Sequence, residues 1–176
     1  MANNDIKFHT CKVRAAQFAR DSGQSIAWCR GVDFVSDMSH MTGKDMLKEK
    51  QRWLRLHDRK CGGLYGMLPL IRGMRVCLTA HVDRSEKALL KGRSGVLLGW
   101  QEDDREPRHP TGKDHHLLYA PKVVYVKFDL SPHEKQWSLD GFAHGKKHPG
   151  VYALARGSEG WFADSYKTKP QVNVRR

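Results

Sequence analysis

Lys91-Gly92-Arg93 is the stretch of this chain best suited to holding an anion. Two cations flank a glycine where the backbone must reverse, so side-chain charge and turn amides converge on one small tip. A tip of that kind can grip phosphate oxygens, contacts that position a nucleic acid without reading its bases. His144-Gly145-Lys146-Lys147-His148 repeats the pattern, so Lys146 and Lys147 join Lys91 and Arg93 as candidate nucleic-acid-binding residues. A basic turn that is merely solvated fits the same residues and stands as the plain alternative. Trp100, Tyr119, Tyr125, Trp137, Tyr152 and Trp161 are candidates for stacking on unpaired bases, a contact worth roughly 1–3 kcal/mol per base. A β domain also needs such side chains to fill its interior, so one or two are expected at the surface and the rest inside.

Charge points the same way. Lys and Arg number 31 against 19 Asp and Glu, a formal net charge of +12. The excess is spread along the chain and favours a polyanionic partner, because neutralising phosphates releases condensed counterions. Charge alone does not separate DNA from RNA.

Other chemistries lack their residues. The sequence has no G-x-x-x-x-G-K-[ST] loop to cradle a nucleoside triphosphate, no G-x-S-x-G and no H-E-x-x-H. No catalytic residue is assigned, and the chain by itself is expected to be inactive as an enzyme. Cys11, Cys29, Cys61 and Cys77 lie far apart with no C-x-x-C pair, and His115-His116 are adjacent rather than one helical turn apart. Reduced thiols and no metal site are expected. No apolar run is long enough to cross a bilayer, and the N-terminus lacks the apolar core of a secretory signal. An intracellular protein is expected, nuclear if the source is a eukaryote.

These residues need elements to hold them. Asn3, Asn4 and Asp5 offer caps for an amphipathic helix through Arg20, with Cys11, Ala15 and Phe18 on one face and Gly23 as its stop. Ser25–Cys29 reads as a short buried strand. A second helix is expected over Lys44–Lys60, with Met46, Leu47, Trp53, Leu54 and His57 facing inward. Beyond Cys61-Gly62-Gly63 the pattern becomes β: Arg75–Ala80, Gly95–Gln101, Lys122–Asp129, Lys135–Leu139, Val151–Ala155 and Gly160–Asp164. Gly73, Gly92 and Gly95 punctuate the first two, through positive φ at turns or close approach of strands. Short strands joined by Gly and Pro turns suggest a small barrel, SH3-like or OB-like. Residues 102–114, with two prolines and no periodicity, read as a mobile surface loop.

The run Leu68–Trp100, LPLIRGMRVCLTAHVDRSEKALLKGRSGVLLGW, resembles the approach to the accessory domain of Pif-type, RecD-like DNA helicases of superfamily 1. Leu68, Pro69, Leu70, Gly73, Val76, Asp83, Gly92, Gly95 and Val96 match the pattern. His81 and Lys91 stand where the family usually has Asn. Asn4–Phe8 with Lys12–Ala15 looks like the fourth motor motif, with Cys11 where a second Asn is common, and Val172–Arg176 looks like the lead into the next motif.

The resemblance implies an α+β chain: residues 1–60 as part of the second RecA-like motor domain, 61–168 as an SH3-like accessory domain and 169–176 as a return strand toward the motor domain. It implies a fragment of an ATP-dependent 5′–3′ helicase whose barrel guides single-stranded DNA. ATP and magnesium belong to the full-length protein, and no cofactor belongs to this stretch. A chain ending on a strand entrance fits a piece of something longer. The alternatives are a stand-alone basic SH3-like or OB-like nucleic-acid-binding protein, a protein–protein module, and a degenerate copy without function.

Overall fold

The computed structural model describes residues 4–35, 43–56, 61, 64–110, 112–130, 138–139, 148–157, 160–163 and 172–175. Within them the chain runs α1 (Asn4–Asp21), β1 (Ala27–Arg30), β2 (Phe34–Val35), α2 (Gly43–Trp53), β3 (Met67–Leu70), β4 (Arg75–Cys77) and β5 (Ser94–Gln101). It continues with β6 (His115–Leu117), β7 (Val123–Phe128), β8 (Ser138–Leu139), β9 (His148–Pro149), β10 (Val151–Ala155), β11 (Gly160–Ala163) and β12 (Val172–Arg175). The class is α+β.

Helix α1 stops where the sequence says it should. Gly23 takes φ +63° and the Gln24 N–H reaches back to the Ala19 carbonyl at 2.9 Å, a left-handed glycine cap. Ala15 and Ala19, one turn apart, are buried against Ile26 and Ile71, while Cys11 on the expected inner face is exposed. In α2, Met46 and Trp53 lie two turns apart and pack with Cys61. Leu47, expected inside, is 61% exposed because it sits about 100° around the helix from Met46. The helix expected to run to Lys60 ends at Trp53, where the Arg55 and Leu56 N–H groups turn back to the Arg52 and Trp53 carbonyls at 3.0 and 3.1 Å; His57 and residues 58–60 lie outside the described residues.

The main sheet is antiparallel with order β10-β7-β5-β4. Strand β5 alternates half-buried and buried positions, and its partner β7 brings Val126 and Phe128 to the same side. Leu98 is an extra residue between the pairs Leu97↔Val126 and Gly99↔Tyr125, a bulge that bends the strand. Gly95 is required by proximity. A Cβ there would stand 2.7 Å from the Lys127 carbonyl oxygen. The four strands leave β4 and β10 as edges, and no closed barrel forms among the described residues. The barrel expectation is corrected to an open sheet: β4 pairs over three residues before the chain departs into a long connector.

A second sheet, β3-β1-β6, closes over the same core: Ala27, Leu70 and Leu117 join Leu89, Leu97, Val126 and Phe128. Its other face meets α1 through Trp28, Ile26 and Ile71. Pairing therefore crosses the expected boundary at residues 60 and 61, since β1 is antiparallel to β3 and parallel to β6. A third sheet, β11-β12-β2, sets Val174 opposite Val35 and Arg175 opposite Phe34. The final described strand thus pairs with a strand from the N-terminal part of the chain.

The segment read as a mobile loop, 102–114, contains no strand but is fastened by its carboxylates. Asp103 is buried and accepts from Arg105 Nε at 2.8 Å and Arg156 Nη2 at 3.3 Å. Asp114 accepts the Ile26 N–H at 2.8 Å. Prolines and low periodicity signalled a loop, while its anchoring depends on partners distant in sequence.

Candidate nucleic-acid interface

The excursion between β4 and β5 carries the first pair of candidate residues. Its neck closes through Leu78 N–H to the Arg93 carbonyl at 2.9 Å and Gly92 N–H to the Leu78 carbonyl at 2.8 Å. Farther out, the Val82 N–H donates to the Leu89 carbonyl at 2.9 Å, and Leu89 is fully buried, pinning the excursion to the core. Asp83 accepts the Ser85 N–H at 2.8 Å and stands 3.7 Å from Lys87 Nζ. The Ser85 hydrogen bonds, with help from Lys87, hold its carboxyl below the usual carboxylate range. Ala88 adopts φ +47°, a left-handed conformation that costs a non-glycine residue about 1–2 kcal/mol.

The Lys91-Gly92-Arg93 turn thus lies at the neck of the excursion and not at its tip, and there the two cations separate in role. Lys91 is exposed, with its ammonium unpaired among the described residues. Arg93 turns inward: Nη2 donates to the Asp129 carbonyl at 2.6 Å, and Nη1 reaches the Ala88 carbonyl at 3.5 Å. The expectation of exposed turn amides is corrected. The Lys91 N–H donates to His81 Nδ1 at 3.2 Å, Gly92 to Leu78, and Arg93 to the Leu90 carbonyl at 3.0 Å. Gly92 earns its place by φ +91°, as Gly73 does by φ +82°. Lys146 and Lys147 lie outside the described residues.

Neighbouring charge is mostly paired. Arg75 makes a forked contact with the Asp129 carboxylate, 2.6 Å and 3.1 Å, in the open where such pairs contribute little. Arg84 is exposed beside Asp83.

The candidate aromatics are sheltered. Trp100, Tyr119, Tyr125 and Tyr152 are each half-buried. Three carry a cation over the ring: Arg72 at 5.7 Å on Trp100, Arg105 at 4.2 Å on Tyr119 and Lys87 at 5.2 Å on Tyr152. Trp137 lies outside the described residues, and Trp161 is placed only as a member of β11. Among the described residues the exposed Phe, Tyr or Trp is one that nothing in the sequence singled out: Phe34 on β2, 65% exposed. Two-residue strands leave no periodicity, so nothing in the sequence marked it.

Among the described residues no three His, Cys, Asp or Glu side chains converge as a metal site, and no helix is long and apolar enough to cross a membrane. All four cysteines carry free thiols. Burial, then the charge of Glu106, pushes the Cys29 thiol up to about 11, so it is a poor nucleophile at neutral pH. No family model, curated protein or solved structure matches the chain.

Proposed function

We propose that this chain is the accessory part of a Pif-type DNA helicase, holding single-stranded DNA through its basic surface. The observation that carries the DNA-binding reading is Lys91, an exposed cation on a tight turn whose backbone is internally satisfied and which follows the buried Leu89. Such a turn presents charge on an ordered support and costs little to order on binding. The excess of basic residues supplies the long-range attraction.

Two features support the motor reading. The run that resembles the family folds as β3, β4, the excursion and β5, with Gly73 and Gly92 at positive φ and Gly95 where strands crowd. The β2–β12 pairing also returns the chain to its N-terminal part. ATP hydrolysis and magnesium belong to residues of the parent protein, and this stretch supplies the DNA track. The stand-alone binder shares the same turn and charge.

Titration of the chain with labelled single-stranded DNA tests the shared part: Lys91→Glu should weaken binding severalfold, and unchanged affinity refutes the site. Reading the gene outward on both sides tests the motor. A Walker loop and an acidic magnesium-binding pair upstream, in frame, support it; uninterrupted stop codons on both sides reject it in favour of the stand-alone binder.

A further inference from the structure

The β4–β5 excursion folds back on itself beside Lys91. Its two limbs run antiparallel at the Asp83↔Leu89 bridge. In the same register Val82 falls opposite Leu90 and His81 opposite Lys91, and there the Lys91 N–H donates to His81 Nδ1 at 3.2 Å. All four of these residues are exposed, Val82 at 43% and Leu90 at 41%. The carboxylate on the same limb, Asp83, is already engaged by the Ser85 N–H and by Lys87.

The hydrogen bond decides where the His81 proton sits. A main-chain N–H can only donate, so Nδ1 is the bare acceptor and Nε2 carries the ring proton. Among the described residues nothing receives that Nε2–H. It lies on the far side of the ring from the Lys91 main chain, within one side-chain length of the Lys91 ammonium, itself unpaired among the described residues. Two outward donors, one neutral and one cationic, thus spring from facing limbs, and phosphate oxygens accept from both kinds. On the next rung Val82 and Leu90 hold two aliphatic side chains in water. An unpaired base can lay its apolar face on such a pair and shield it. Bases stacked inside a duplex leave only their phosphates for this surface.

We propose that His81, Val82, Leu90 and Lys91 form a site for one unpaired nucleotide, with its phosphate between the Lys91 ammonium and the His81 Nε2–H and its base against Val82 and Leu90. The site rests on the DNA-binding reading of Lys91 and narrows its ligand to single strands. The two donors contribute differently. Lys91 neutralises a phosphate and releases a counterion, so its contact weakens as salt rises. His81 donates as a neutral group, so it adds affinity without adding to the salt slope.

Anisotropy titrations of labelled oligothymidylate at about pH 8, above the ordinary imidazole range, separate the parts. Lys91→Ala should lower both affinity and salt slope. His81→Ala should weaken binding severalfold and leave the slope of the wild type. The wild type should prefer oligothymidylate severalfold over an abasic strand of equal length, and Val82→Ser with Leu90→Ser should remove that preference. A long-range proton–nitrogen NMR spectrum of the whole chain should show the His81 proton on Nε2. That nitrogen's resonance should move when oligothymidylate is added, as that of a merely structural histidine does not. The spectrum needs no variant, so it decides where a variant fails to fold. The other tautomer, an unmoved resonance, His81→Ala binding like the wild type, or a base preference that survives the double change overturns the nucleotide site alone. No binding by the wild type, or none lost in Lys91→Ala, removes the Lys91 reading with it.

Discussion

Arg93 Nη2 donates to the main-chain carbonyl oxygen of Asp129 at 2.6 Å, tying the foot of the β4–β5 excursion to the end of β7. Lys91, two residues earlier, makes no such contact among the described residues. Two cations that look equivalent in sequence are thus a brace and an exposed charge. Arg93→Ala should lower stability by about 1–2 kcal/mol, as expected for a charge-assisted hydrogen bond lost. Lys91→Ala should stay within about 0.5 kcal/mol of wild type. Urea unfolding of the two variants checks this, and equal effects would refute the division of roles.

Gly95 and Gly92 should fail for different reasons. Alanine at 95 drives a methyl against the Lys127 carbonyl at 2.7 Å and Val126 Cγ1 at 2.9 Å, so β5 and β7 must separate. A loss of about 2–4 kcal/mol is expected. Alanine at 92 meets nothing within 4 Å but must hold φ +91°, worth about 1–2 kcal/mol. Thermal or chemical denaturation should rank Gly95→Ala below Gly92→Ala.

Ala88 invites the opposite substitution. Its φ of +47° suits glycine, so Ala88→Gly should be neutral or stabilising by up to about 1 kcal/mol. A clear loss in denaturant midpoint would show that the methyl packs in a way its backbone does not reveal.

Asp103 sets an acid limit on the fold. Hydrogen bonds from the Arg105 side chain and N–H come first, aided by the Arg105 and Arg156 charges, and hold its carboxyl well below the carboxylate range despite burial. A depressed carboxylate contributes stability that is complete above the unfolded value near about 4 and is lost as pH falls toward the folded one. The deficit of Asp103→Asn, measured by urea unfolding, should therefore be constant from about pH 7 to 5 and shrink below about 4. A deficit independent of pH would contradict the account.

The strands with clear alternation were legible. Val151–Ala155 matches residue for residue, and β5 and β7 start and end within a residue or so of their expected limits. Gly23, Gly73 and Gly92 announced turns because a left-handed backbone leaves few other residues as candidates. Strands β2, β3 and β6 escaped notice, being two to four residues long and specified by partners far away: Cys29 pairs with both Leu68 and Leu117. At the candidate site, charge and turn were readable from Lys91-Gly92-Arg93. The direction of the Arg93 head was not, because it depends on a carbonyl 36 residues away. Likewise His81 looked like a lone polar residue of the connector until the limbs of the excursion set its ring against the Lys91 N–H.

Fluorescence anisotropy of a labelled oligothymidylate, titrated across a range of salt, tests the central claim most directly. The wild type should bind with an affinity that falls steeply as salt rises. Lys91→Ala should flatten the slope of log K against log salt by about 0.7, one single-strand phosphate contact, and weaken binding, while the fold is unchanged. Binding that is absent, insensitive to salt, or identical in the variant would contradict it.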